Sequence, residues 1–246
     1  MPESVQLMIT CILDTLYPKT GEAVLQVLEG FGLQVTFPQG QTCCGQPAFN
    51  AGMRPQARKM AEHTIQVFEK STAPIIIPSG SCAAMIRHGY LELFREDPAW
   101  LARARELGQR SYEFTEYLVD ILGVTDIGAS LPGKITYHPS CHLLRELGVD
   151  KQPRQLLASL QSVELTELTG AQECCGFGGL FSLEHPDISA AMLQRKLLNI
   201  MRCGADTVVS CDAGCITHIN GGLRRQGQPA MAIHIAEVLV NAQTLS

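Results

Sequence analysis

The chain has 246 residues, of which 46% are hydrophobic and 17% charged, and its net charge is -5. This length allows one large domain or two of about 120 residues, and the scattered Lys and Arg argue against nucleic-acid binding, which needs clustered positive charge. No uncharged apolar run approaches the ~20 residues that span a bilayer, and no basic segment opens the chain, so we expect a cytoplasmic protein without a membrane span.

Strands and helices alternate along the first half of the chain. Val24, Val27 and Leu28 share one face of a predicted helix, and Pro55 suits the first turn of the next one. An apolar run between two prolines predicts a buried strand. The predicted strands cover residues 5–10, 34–37 and 74–78, and the predicted helices cover residues 21–31 and 55–70.

The second half repeats this alternation. Its predicted strands cover residues 134–137, 163–168, 207–210 and 231–234, and its predicted helices cover residues 152–160, 186–202 and 235–242. Such alternation is typical of parallel sheets covered by helices. We therefore expect an α/β fold of two pseudo-symmetric lobes, each a small, mostly parallel sheet flanked by helices. The lobes are predicted at residues 1–125 and 133–246, joined by a linker at 126–132.

Four cysteines occur in the same order in each half. The first cysteine set is Cys11, Cys43, Cys44 and Cys82, and the second cysteine set is Cys141, Cys174, Cys175 and Cys215. Corresponding positions are offset by 130 to 133 residues, which indicates an internal duplication. Reduced cytoplasmic thiols are typical of metal binding or redox chemistry rather than of structural disulfides.

The cysteines of both sets lie shortly after predicted strands. Parallel α/β sheets bind ligands at the carboxyl ends of their strands, so we expect the sulfurs of each set to converge at one sheet edge. Thiolates favour zinc, copper(I) or iron–sulfur clusters, but the Cys-x2-Cys knuckles usual for zinc are missing. An adjacent Cys-Cys pair suits a larger object such as a four-iron cluster, whose usual quota is four cysteines. Gly45 and Gly176 let backbone N–H groups approach the sulfurs, or simply form tight turns.

The cysteine pattern resembles the duplicated cysteine-rich (CCG) domain of the heterodisulfide reductase B superfamily. Within that superfamily, the chain resembles the lactate-utilization protein A family over essentially its whole length. The segments that carry this resemblance are residues 10–12, 41–47, 78–82, 137–141, 174–179 and 234–239.

The resemblance implies an iron–sulfur oxidoreductase subunit that carries electrons in a complex oxidising L-lactate to pyruvate. It also implies two partners, a ferredoxin-like iron–sulfur subunit and a third subunit. No catalytic residue follows from it. The ligands that it implies, for one or two clusters of the 4Fe-4S type, are Cys11, Cys43, Cys44, Cys82, Cys141, Cys174, Cys175 and Cys215.

Two other functions also fit the cysteines. One is heterodisulfide or thiol–disulfide reduction. Related domains with an unusual, non-cubane cluster typically end in Cys-x2-Cys, whereas the first repeat reads Cys82-Ala-Ala-Met85 and the second has Cys211 four residues before Cys215. These differences argue against a five-thiolate cluster. The other function is that of a structural protein stabilised by zinc.

Several residues outside the two sets have open roles. Cys203 is expected in the core, and Cys211 either packs at a strand end or is a spare ligand. His138 and His142 either approach a cluster or only cap the loop. Asp212 is expected to cap the helix that follows it.

Overall fold

The computed structural model describes residues 4–240, and within them two four-stranded sheets are built entirely from parallel pairs. The first sheet has the order β2-β1-β3-β4, with β1 at Ser4–Leu7, β2 at Gln34–Thr36, β3 at Ile75–Ile77 and β4 at Ser111–Glu113. The second has the order β6-β5-β7-β8, with β5 at Ser130–Tyr137, β6 at Gln161–Leu165, β7 at Thr207–Ser210 and β8 at Met231–His234.

Helices connect the strands of both sheets. Those of the first lobe are α1 Cys11–Leu16, α2 Pro18–Gly30, α3 Gln46–Asn50, α4 Arg54–Phe68, α5 Gly80–Ala84, α6 Tyr90–Leu93, α7 Pro98–Gln109 and α8 Phe114–Glu116, with π-helical turns at Met85–Gly89 and Tyr117–Ile121. Those of the second lobe are α9 Cys141–Arg145, α10 Lys151–Ala158, α11 Phe181–Glu184, α12 Pro186–Cys203, α13 Ala213–Arg225 and α14 Ile235–Leu239. No helix within residues 4–240 is long and apolar enough to cross a membrane.

The predicted α/β fold with two lobes is confirmed. The alternation of elements determined it, because each helix returns the chain to start another parallel strand. Some bounds differ. The first strand ends at Leu7 rather than at residue 10, and β5 already begins at Ser130, inside the predicted linker. The last helix ends at Leu239, and the predicted extension to residue 242 reaches beyond the described residues.

One hydrophobic core, called the joint core below, contains residues of both lobes. Helix α14 of the second lobe packs on α2 of the first, and Val24 and Leu28 of α2 are buried in the same cluster as Ile135, Val238 and Leu239. Each lobe also has a smaller core of its own, called the first core in the first lobe and the second core in the second lobe. The lobes therefore meet through a core-like interface, which fixes the position of one sheet edge against the other.

Candidate metal centre

The first and last cysteines of each set flank the point where the strand order reverses. In the first sheet this point lies between β1 and β3, and in the second between β5 and β7. Cys11 opens α1 directly after β1, and Cys82 is the third residue of α5 after β3. Cys141 and Cys215 occupy the equivalent places in α9 and α13. A crevice at such a reversal is the usual ligand site of a parallel sheet.

The adjacent cysteines lie in loops that need glycine. Gly45 and Gly176, which follow the two pairs, have φ angles of +88° and +91°, a region that side chains disfavour. A Cβ on Gly176 would also lie 2.7 Å from the carbonyl oxygen of Ser189. In this turn the N–H of Gly176 donates to Sγ of Cys174 at 3.3 Å. The glycine thus bends the loop so that its backbone faces a sulfur.

All eight cysteines of the two sets line one cavity of about 340 Å³. The expected convergence at the strand ends therefore extends further than each set, because the two edges face each other across the lobe interface. The close sulfur pairs include Cys44 and Cys82 at 3.3 Å, Cys175 and Cys215 at 3.3 Å, and Cys141 and Cys174 at 3.9 Å. This donor set, soft and mostly shielded from water, fits a thiolate-bound metal or cluster.

One thiol of each set has a lowered pKa, which favours its thiolate form. Hydrogen bonds from neighbouring thiols lower the pKa of Cys43 and of Cys174 well below the usual range of a thiol. The donors Cys11 and Cys141 have raised pKa values for the same reason, and burial adds to the increase. The protein alone therefore stabilises one thiolate per set. A bound cation would supply the positive charge that ionises the others.

His138 lies deep beside the second set. It is completely buried, and neither ring nitrogen has a hydrogen-bond partner. A ring nitrogen of His138 and the sulfurs of Cys175 and Cys215 all lie within 4.8 Å of one another. Burial, and then the nearby charge of Lys196, lower the pKa of the imidazole to about 3, so it is neutral. The sequence placed His138 near the site but did not show its depth.

His142, in contrast, lines the cavity and is partly exposed to solvent. Its Nδ1 is 3.5 Å from Sγ of Cys141, and its Nε2 is 3.6 Å from the carboxylate of Glu146. Its side chain keeps 25% of its surface exposed. The two histidines that flank Cys141 thus differ in burial and in partners.

Neither remaining cysteine lines the cavity. Cys211 is buried in the joint core, with its sulfur 3.8 Å from the hydroxyl of Tyr137, so it packs as a strand-end residue. Cys203 is half-buried against the second core and donates to the carbonyl of Ile200 at 3.1 Å. Met85, where related domains have a further cysteine, is buried in the first core. The described residues therefore offer no fifth thiol to either set.

Asp212 caps helices in both lobes, which sequence reasoning foresaw only for its own helix. Its Oδ1 accepts from the N–H of Gly214 in α13 at 3.1 Å. Its Oδ2 accepts from the N–H of Ser81 at 3.0 Å and from the hydroxyl of Ser79 at 3.2 Å. Ser79 precedes Cys82 by three residues, as Asp212 precedes Cys215, so the two caps are equivalent in the duplication.

The duplicated site has a counterpart among known families. The sequence model of the cysteine-rich domain called CCG matches residues 5–87 and 135–220. Fold and site thus define a protein of two cysteine-rich domains. Lactate utilization protein A of Exiguobacterium sp. (strain ATCC BAA-1283 / AT1b) is 45% identical over 237 residues, 96% of each chain. That of Bacillus pumilus (strain SAFR-032) is 45% identical over 235 residues, covering 96% of this chain and 98% of the relative. The chain belongs to the lactate utilization protein A family.

A solved structure shares the fold. The crystal structure of a hypothetical protein from Helicobacter pylori superposes with a TM-score of 0.63 at 10% identity. The match covers 98% of this chain, which spans 49% of that protein. At this identity the likeness concerns the fold alone.

Proposed function

We propose that this chain is an iron–sulfur subunit that carries electrons during the oxidation of L-lactate to pyruvate. The observation that supports this most directly is the arrangement of all eight repeated cysteines around one cavity. Four thiols are the usual quota of a four-iron cluster, so the chain has donors for two clusters of the 4Fe-4S type. The name that the relatives carry, lactate utilization protein A, supports the pathway.

The residues of the chain would bind, shield and tune these clusters. When bound, iron–sulfur clusters supply one-electron transfer. The cysteine thiols supply the ligands, and Gly176 N–H donates to a sulfur, which helps to set the reduction potential. Because both sets line the same cavity, they would hold two clusters close together within one chain.

The composition of the cavity wall favours electron transfer over lactate binding here. Among the residues that line the cavity there is no Arg or Lys to pair with a carboxylate. We therefore place lactate oxidation on another subunit. Electrons would then reach this chain from its partners, a ferredoxin-like iron–sulfur subunit and a third subunit. Cys11, the exposed member of the first set, is the sulfur most open to such a partner.

Metal and sulfide analysis tests this function. Protein purified without oxygen should contain about four or eight irons per chain, equal acid-labile sulfide and a brown chromophore that gives an EPR signal on reduction. Replacing Cys82 or Cys215 with Ser should remove the iron and sulfide of one site, whereas Cys203→Ser, a half-buried cysteine outside both sets, should leave the metal content unchanged. Zinc without sulfide would contradict the electron-transfer function.

One observation favours a zinc protein as the second candidate. Tetrahedral zinc with Zn–S bonds of about 2.3 Å places its sulfurs about 3.8 Å apart, near the 3.3 to 3.9 Å between the close pairs. A structural zinc protein would be colourless and would unfold on treatment with chelators. The same analysis therefore decides between the two functions.

A further inference from the structure

The two cysteine sets differ in one buried neighbour. Met8 precedes Cys11 by three residues, and His138 precedes Cys141 by three, each directly after the first strand of its lobe. Met8 is 1% exposed and packs with Cys44 and Cys82 in the first core. The duplication therefore places a thioether beside the first set and an imidazole beside the second.

The imidazole lacks the partners that a buried histidine normally has. Both nitrogens of His138 are shielded from water and unpaired, although the backbone of Ala171 approaches the ring. A buried polar group without a partner is costly, so native structures nearly always satisfy it. A ring nitrogen of His138 and the sulfurs of Cys175 and Cys215 lie within 4.8 Å of one another. A metal between them would give one nitrogen its partner.

We propose that His138 is a metal ligand of the second site, where its imidazole takes the place of one of the four thiolates, whereas the first site uses thiolates alone. The inference rests on the proposed function in needing a metal, but it does not depend on which metal binds. Metal-bound histidines commonly donate their other N–H to a backbone carbonyl, and the backbone of Ala171 lies beside the ring.

The asymmetry has a functional consequence. A neutral imidazole adds no negative charge to a cluster, and histidine ligation raises the reduction potential of iron–sulfur centres. The second site should therefore accept electrons more readily than the first. This gives electron transfer within the chain a direction, from the first cysteine set to the second.

Nitrogen hyperfine spectroscopy tests the ligand directly. The full chain is labelled with 15N-histidine, purified without oxygen, reduced and examined by ENDOR. The expected result is a strongly coupled histidine nitrogen that disappears in His138→Met, a side chain that the first lobe accommodates at the equivalent position. Met8→Leu and His142→Gln should both retain the coupling, and the second of these separates His138 from the partly exposed histidine.

Outcomes of this test are separate from those of the metal analysis. Clusters without a coupled nitrogen in the wild-type chain, or a coupling that survives His138→Met, would overturn the ligand while leaving the electron-transfer function intact. If zinc is found instead, the function fails, and cobalt(II) substitution tests His138. The absorption bands of cobalt should then shift in His138→Met and stay unchanged in Met8→Leu. Unshifted bands in His138→Met would overturn the proposal.

Discussion

Two buried residues at equivalent places show how environment sets the charge of a side chain. Glu113 ends β4 and His234 ends β8, and each caps the helix that follows through a capping box. Both are completely buried at the boundary between the lobes. Burial raises the pKa of Glu113 from its ordinary value of 4.5 to about 7 and lowers that of His234 from 6.5 to about 4. Burial thus favours the neutral form of both.

Glu113→Gln should change how stability depends on pH. The folded carboxyl keeps its proton up to about pH 7 while the unfolded one loses it near 4.5, so wild-type stability falls as pH rises through this window. The shift corresponds to about 3 kcal/mol. Glutamine keeps an accepting oxygen for the N–H groups of Thr115 and Glu116 without ionising.

The measurement is the free energy of unfolding in urea at pH 5 and pH 8. The difference in free energy of unfolding between Glu113→Gln and the wild type should grow by about 2.5 kcal/mol between these values. Glu22→Gln makes the same change at an exposed position. The role of burial would be contradicted if the difference in free energy of unfolding between variant and wild type did not grow with pH. It would also be contradicted if the control variant showed an equal growth.

At the scale of elements, the N-termini of α5 and α13 meet across the lobe boundary. The backbone of α5 approaches α9 so closely that a Cβ on Gly80 would lie 2.6 Å from Cβ of Leu143. Asp212 joins the two termini by accepting hydrogen bonds from Ser81 and Gly214. Since α5 carries Cys82 and α13 carries Cys215, this carboxylate fixes one cysteine of each set relative to the other.

Asp212→Asn should weaken the hydrogen-bonded link between α5 and α13. Asparagine has one accepting oxygen, so the N–H of either Ser81 or Gly214 loses its partner inside the protein. We expect a loss of about 1–3 kcal/mol in the free energy of unfolding, the cost of an unsatisfied buried donor. Asp126→Asn is the control, because Asp126 accepts from the N–H of Gly128 in an exposed turn. Equal losses in free energy of unfolding in the two variants would contradict the proposed link between α5 and α13.

At the scale of the whole molecule, the joint core makes the lobes one cooperative unit. The single tryptophan, Trp100, stacks on Phe94 in the first lobe with ring centroids 5.5 Å apart. Leu197 is buried in the second core, far along the chain from this reporter. Because the lobes share the cluster around α2 and α14, disrupting one should unfold both.

Leu197→Ala should therefore lower the urea midpoint of the Trp100 fluorescence transition. Truncating a buried leucine typically costs 2–5 kcal/mol, and a cooperative molecule reports this cost at any probe. Leu198→Ala is the matched control, since Leu198 is the next residue of α12 and is 48% exposed. An unshifted Trp100 transition, together with a shifted circular dichroism signal, would show that the lobes unfold independently.

Sequence reasoning failed where local signals are weak. It interpreted residues 103–110 as a solvated helix face, which agrees with α7, but it predicted no strand between residues 90 and 121, where the structure has β4. Strand β4 is only three residues long and mixes Ser, Tyr and Glu, so it has neither an apolar run nor strict alternation. It forms because β3 offers a free edge, which is a property of the sheet rather than of the segment.

Spacing along the chain and residue type were enough to predict the class of fold, the duplication, the eight repeated cysteines and the family. The folded protein was needed to show that both sets share one cavity, that His138 lies unpaired beside Cys175 and Cys215, and that Asp212 caps a helix in each lobe. These features depend on how two sheet edges meet. Contacts between residues more than 130 positions apart follow from the packing of the joint core, which no local pattern encodes.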